Sequence, residues 1–189
     1  MLVYLKKKHL LYETKSKIMK NLILIRHSKS SWDLPVNDID RPLSKRGIHN
    51  AHLISTQIQT LLPKTFIVWS STAKRAKESA IIYSQNLMIP FENIILKEEL
   101  YTFDEKRLEE IIKKCENRYD NLILFGHNEA ITNFVNKFGS LFIENVPTSG
   151  FVSLQFDIDD WKNLKRGETI KTVFPSHYKN EQHTAKQIH

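Results

Sequence analysis

A chain of 189 residues with a formal charge of +7 is long enough for one well-filled domain and short for two. Hydrophobic residues at 41% and charged residues at 26% are ordinary for a globular protein. No apolar run approaches the roughly 20 residues of a membrane helix, which argues against a membrane protein. The positive charge lies mostly at the ends: +4 on residues 1–18, +1 on residues 176–189 and +2 on the body between. A nucleic-acid binder concentrates its charge on a folded face with aromatics to stack bases, so that class is disfavoured. Residues 1–18 carry no long apolar stretch or small-residue cleavage site of a secretory leader. Cys115 is the single cysteine, which rules out an internal disulfide and fits a reducing cytoplasm.

Residues 1–18 read as an extension outside the core, disordered or not native, with Met19 as a candidate start. The body is expected over 19–175, with 176–189 as a tail. Leu22–Ile25 is a continuous apolar run, as for a strand buried on both faces. A long polar loop holding Trp32 runs to Pro42. Ser44 then caps a helix whose apolar positions Ile48, Ala51, Ile54 or Ser55, Ile58 and Leu62 recur at helical spacing until Pro63. Phe66–Trp69 is a second strand, followed by an Ala-rich helix from about Ala73 to Gln85, and Asn93–Leu96 is a short third strand. The segment Thr102-Phe103-Asp104-Glu105 has a capping-box pattern and opens a helix carrying Leu108, Ile111, Ile112 and Cys115. Leu122–Phe125 is another buried strand, and Glu129–Phe138 a helix closed by Gly139. Phe151–Phe156 and Thr169–Phe174 read as strands in the edge region of a sheet. Strand–helix alternation of this kind predicts an α/β domain, a mostly parallel sheet with helices on both faces.

Sites in such folds lie beyond the carboxyl ends of central strands. Two strands end alike there: Asn21-Leu-Ile-Leu-Ile-Arg26-His27 and Asn121-Leu-Ile-Leu-Phe-Gly126-His127. If they are neighbours, their imidazoles face one another. A third strand ends Trp69-Ser70-Ser71-Thr72-Ala73-Lys74-Arg75, placing Arg75 in a first helical turn with free N–H groups and the positive end of the dipole. Each residue alone has a plain structural explanation. Two His, two Arg and a helix N-terminus at one sheet edge suit a dianionic phosphate.

Leu24-Ile25-Arg26-His27-Ser28-Lys29-Ser30-Ser31-Trp32-Asp33 and Asp40-Arg41-Pro42-Leu43-Ser44-Lys45-Arg46-Gly47 open a further pattern. Ser70-Ser71-Thr72-Ala73-Lys74-Arg75-Ala76-Lys77-Glu78-Ser79-Ala80 and Gly126-His127-Asn128 complete it. From about Lys20 to Pro175 the chain resembles the histidine phosphatase superfamily and, within it, SixA-type phosphohistidine phosphatases. The resemblance implies a three-layer phosphoglycerate-mutase-like domain and a metal-independent phosphatase without cofactor. His27 would be the nucleophile, attacking phosphorus as a neutral imidazole and forming a phosphohistidine that water hydrolyses. Arg26 and Arg75 would hold the phosphoryl oxygens, His127 would donate to the same group, and Arg41 matches a position near the phosphate.

The leaving-group acid has no clear match. Related acid phosphatases carry Asp where this chain has Asn128, so Glu99 and Asp33 are the candidates. A protonated imidazole leaves phosphorus easily, so the weak match favours phosphohistidine over an alkyl phosphate. The short segment 76–120 implies an open crevice, and hence a phosphorylated protein as partner, such as a histidine-phosphotransfer or carrier protein. The alternatives are a small phosphorylated metabolite, turned over by a phosphomonoesterase or mutase of the same superfamily, and a non-catalytic module that binds phosphoproteins. Trp32, Trp69 and Trp161 read as core or rim aromatics, Thr148-Ser149-Gly150 as a turn, His49 and His52 as surface or packing, and Cys115 as core.

Overall fold

The computed structural model describes residues 19–178. The expected extension 1–18 and most of the expected tail lie outside them. Six strands form one sheet: β1 (Lys20–Arg26), β2 (Ile67–Ser71), β3 (Ile94–Lys97), β4 (Asn121–Gly126), β5 (Phe151–Phe156) and β6 (Glu168–Val173). Their order is β3-β2-β4-β1-β5-β6. Pairs β2–β3, β2–β4 and β1–β4 are parallel, while β5 runs antiparallel to both β1 and β6. β5 is therefore an internal strand beside the edge strand β6, and β3 forms the other edge. β5 and β6 lie in the edge region expected from their patterns, with β5 paired antiparallel on its two sides.

Four helices cover the sheet: α1 (Lys45–Gln57), α2 (Lys74–Leu87), α3 (Glu105–Ile112) and α4 (Ala130–Phe138). Successive strand residues point to opposite faces. Leu22, Leu24, Leu122 and Leu124 join Leu108, Ile112, Ile131 and Phe134 of α3 and α4 on one side. Ile23, Ile25, Ile123 and Phe125 join Ala51, Ile54, Ala80 and Tyr83 of α1 and α2 on the other. Both cores are apolar, so the strands read as unbroken hydrophobic runs. The result is three layers.

Several boundaries differ from expectation. α1 ends at Gln57, and a 3₁₀ turn (Gln59–Leu61) follows before Pro63. Asp104, not Thr102, caps α3: its carboxylate accepts the Lys106 and Arg107 N–H groups. An ionised Asp at that position outcompetes the Thr hydroxyl, which instead accepts from the Asp104 N–H. Ile48 is exposed, whereas Trp69, Trp161 and Cys115 are core and Trp32 is 71% exposed. A closing 3₁₀ turn (Pro175–Tyr178) buries Pro175 and packs Tyr178 against the α1/α2 core, so ordered packing runs past residue 175.

Candidate active site

The parallel register of β1 and β4 is Asn21↔Asn121 through Arg26↔Gly126, so His27 and His127 leave adjacent strands at the same level. Their ring centroids are 5.1 Å apart. β2 lies on the other side of β4, and its carboxyl end delivers Arg75 through the first turn of α2. Arg75 Nε donates to His27 Nε2 at 3.2 Å, and Nη2 reaches His127 Nδ1 at 3.4 Å. Both imidazoles and Arg75 are thereby joined.

Donor and acceptor roles assign the ring protons. His27 Nδ1 lies 2.8 Å from the Ser28 carbonyl, which can only accept, so Nδ1 carries the hydrogen and Nε2 the lone pair. In His127 the order reverses. Arg75 can only donate to Nδ1, and Nε2 lies 2.8 Å from Ser71 Oγ, to which it donates. Burial keeps both rings neutral. Desolvation lowers His27 to about 3; the Ser28 carbonyl opposes this, and Arg75, Arg26 and Arg41 add to it. Desolvation lowers His127 to about 2, reinforced by His27 and Arg75.

A crevice of about 430 Å³ opens over this edge, lined by Arg26, His27, Asp38, Arg41, Arg75 and Tyr101, among others. Arg26 Nη1 donates to Val146 O at 2.8 Å and to Asn145 Oδ1 at 3.3 Å, while Nε is buried without a hydrogen-bond partner among the described residues. Burial also lowers the pKa of this guanidinium, a cost that an anion in the crevice offsets. Asn128 reaches the same Asn145 Oδ1 through its amide at 2.9 Å, and its own Oδ1 accepts from the Thr132 N–H and hydroxyl. Asn128 thus ties the start of α4 to the Asn145 that supports Arg26.

The loop between β1 and α1 is anchored on both flanks. Ser44 donates its N–H and its hydroxyl to the Lys29 carbonyl, and its Oγ accepts from the Gly47 N–H. A Cβ on Gly47 would meet Lys29 O at 2.0 Å, so this contact requires glycine. Beneath His27, the Ser28 N–H donates to Ser79 Oγ, which donates to the Arg75 carbonyl. Ser149 Oγ donates to Ser28 Oγ, and Tyr83 donates to the Ser149 carbonyl. Ser149 has φ 63, a left-handed turn conformation, and its neighbour Thr148 lines the crevice.

Arg41 also lines the crevice, but its guanidinium is engaged. It donates to Ser31 O, to Ser30 Oγ and to Asp38 Oδ1, and it stacks on Trp32 at 3.2 Å from the ring centroid. The two candidate acids lie elsewhere. Glu99 faces Lys97 at 3.5 Å, and Asp33 is on the exposed part of the loop; neither lines the crevice.

The model of the histidine phosphatase superfamily (branch 1) matches residues 22–123, more than half the chain. The chain belongs to the histidine phosphatase superfamily. An uncharacterized chloroplastic protein of Arabidopsis thaliana is 43% identical over 65 residues, 33% of this chain and 29% of that one, so the match spans under a third of the relative's length. Among solved structures, a Nakamurella multipartita protein assigned as a phosphohistidine phosphatase SixA superposes with a TM-score of 0.72 at 19% identity, over 83% of this chain and 96% of its own. A mycobacterial glucosyl-3-phosphoglycerate phosphatase gives 0.62 at 12% identity, over 79% of this chain and 97% of its own. These two likenesses show the fold alone.

In this superfamily member, the strand-end reading placed His27, His127, Arg26 and Arg75 together. It missed Asp38, Tyr101, Asn145 and the Ser28–Ser79–Ser149 layer. Asp38 left one readable signal, a carboxylate three residues before Arg41 in a polar loop. Tyr101 and Asn145 come from distant segments with no local pattern, and Ser149 showed only as part of the Thr148-Ser149-Gly150 turn. His127 is only 1% exposed, beneath Arg75 and against the rings of Tyr101 and Phe103, and does not line the crevice.

Proposed function

We propose that the protein is a phosphatase in which His27 accepts a phosphoryl group and water then removes it, with phosphohistidine on a protein as the substrate. The observation carrying this reading is the state of His27: a neutral ring whose Nδ1–H is held by the Ser28 carbonyl, with the Nε2 lone pair beside Arg75 at the crevice. The Nε2 lone pair attacks phosphorus, and the bond from phosphorus to the leaving group breaks with its electron pair going to that group. Arg26 and Arg75 hold the phosphoryl oxygens by charge-assisted hydrogen bonds. His127 supports Arg75 by accepting its Nη2 hydrogen bond at Nδ1. Water then attacks the phosphohistidine, the P–N bond breaks, and inorganic phosphate leaves.

The carboxylate lining the crevice supports the choice of substrate. Partial desolvation raises the pKa of Asp38, but hydrogen bonds from Tyr101, Arg41 and Arg75 outweigh it and hold the group far below the usual carboxylate range. In the free protein it has no proton to give. A leaving group that is already protonated, such as the imidazole of phosphohistidine, needs none. The open crevice suits a side chain presented by another protein.

Phosphate release from a phosphohistidine protein is measured in excess EDTA for the wild type and His27→Ala. Release by the wild type that vanishes in the variant supports the reading. No release by the wild type refutes it, and leaves a small phosphorylated metabolite or a binding module.

A further inference from the structure

The donors that line the crevice already hold an anion. Asp38 Oδ1 accepts from Arg41 Nη1 at 2.7 Å, and Oδ2 accepts from Arg75 Nη2 at 2.8 Å and Tyr101 Oη at 2.6 Å. Arg75 Nη1 also donates to the Asp38 backbone carbonyl. With Nε on His27, every nitrogen of Arg75 is occupied. An incoming phosphoryl group finds no free fork on this arginine.

The two sides of this contact differ in how easily they move. Arg75 is 2% exposed and rises from the first turn of a helix packed on the sheet. The Asp38 side chain is 42% exposed, on a three-residue 3₁₀ turn (Asp38–Asp40) that buries none of its residues and has no side-chain cap. Its neighbours Val36 and Ile39 are exposed as well. Displacing Asp38 costs hydrogen bonds but little apolar burial, whereas moving Arg75 disturbs the core. The mobile partner is the carboxylate.

We propose that Asp38 is an internal competitor for the phosphate site: its carboxylate holds Arg75 in the free protein, a phosphorylated ligand displaces it, and its return expels inorganic phosphate. The inference rests on the crevice being the phosphate site, and it makes Asp38 a positioning residue acting through Arg75. A site with three arginines and no competing anion would retain a dianionic product. Asp38 lowers that affinity and thereby sets turnover.

The test is calorimetric titration with inorganic phosphate of the wild type, Asp38→Asn and Asp38→Glu. Asp38→Asn removes the competing charge and is expected to tighten phosphate about tenfold, the effect of one charge-assisted contact. Asp38→Glu keeps the charge and is expected to stay within about twofold of the wild type, an outcome that general loosening of the loop would not produce. A crystal grown in phosphate is expected to show the Asp38 carboxylate off Arg75. Unchanged or weaker affinity in Asp38→Asn, equal tightening in both variants, no binding by any of them, or Asp38 still on Arg75 beside bound phosphate would each overturn the proposal. Because binding is read without turnover, it separates from the proposed activity. Turnover without tightening defeats the competitor alone, and tightening without turnover defeats the phosphatase alone.

Discussion

His27 and His127 follow nearly the same local sequence, leave neighbouring parallel strands in register, and end with opposite tautomers. The Ser28 carbonyl takes the Nδ1 hydrogen of His27 and leaves Nε2 with its lone pair at the crevice. Ser71, at the end of β2, takes the Nε2 hydrogen of His127, whose Nδ1 faces Arg75 beneath Tyr101 and Phe103. One ring is set by its own chain neighbour and the other by a strand 56 residues away. A strand-end histidine is thus a position, and its hydrogen-bond partners decide which ring nitrogen keeps the lone pair.

The sharpest break of this comparison is substitution. His27→Ala is expected to lower phosphate release roughly 10³-fold or more, because no other group supplies the lone pair. His127→Ala is expected to lower it about 10²-fold, the scale of losing one group that stabilises the transition state. Trapping labelled phosphate on the protein checks the roles: label is expected in His127→Ala and absent in His27→Ala. Equal losses with no label in either variant would erase the asymmetry.

Stability against pH tests what the rings share. Their folded pKa values, about 3 and about 2, lie below the ordinary 6.5, so on acidification the unfolded chain takes up protons that the folded one refuses. Stability is therefore fully present above about pH 6.5 and falls as pH drops toward 3, by at most about 1.4 kcal/mol per pH unit for each ring. Thermal melts between pH 7 and 4.5 read this before most carboxylates titrate. His27→Gln is expected to remove about half of the slope; a slope unchanged by the substitution would show that the ring is not held neutral.

Smaller effects distinguish the supports. Ser79→Ala leaves the buried Ser28 N–H without its partner and is expected to cost about 1–3 kcal/mol by denaturant melt. Ser71→Ala removes the partner of His127 Nε2 and is expected to cost a similar 1–3 kcal/mol while lowering activity about tenfold. If Ser71→Ala left activity at the wild-type level, the tautomer of His127 would not matter to the reaction.

Local sequence made much of the fold legible. The buried runs at Leu22–Ile25 and Leu122–Phe125 announced central strands, and residues just after them, His27 and Asn128, line the crevice. Capping was less legible, as Thr102 against Asp104 shows, because it depends on which of two adequate groups wins in three dimensions. The acid candidates Glu99 and Asp33 had no motif to place them, and neither lines the crevice.

Hydrophobic periodicity alone determined the α/β layering here, since burying an apolar strand or stripe admits few arrangements. The residues at and just after the strand ends determined that two imidazoles and two guanidinium groups gather at one sheet edge. Only the tertiary structure decided which ring holds its lone pair at the crevice and that Arg75 is occupied by Asp38. Those outcomes rest on hydrogen bonds across tens of residues, where direction and distance matter and sequence separation carries neither.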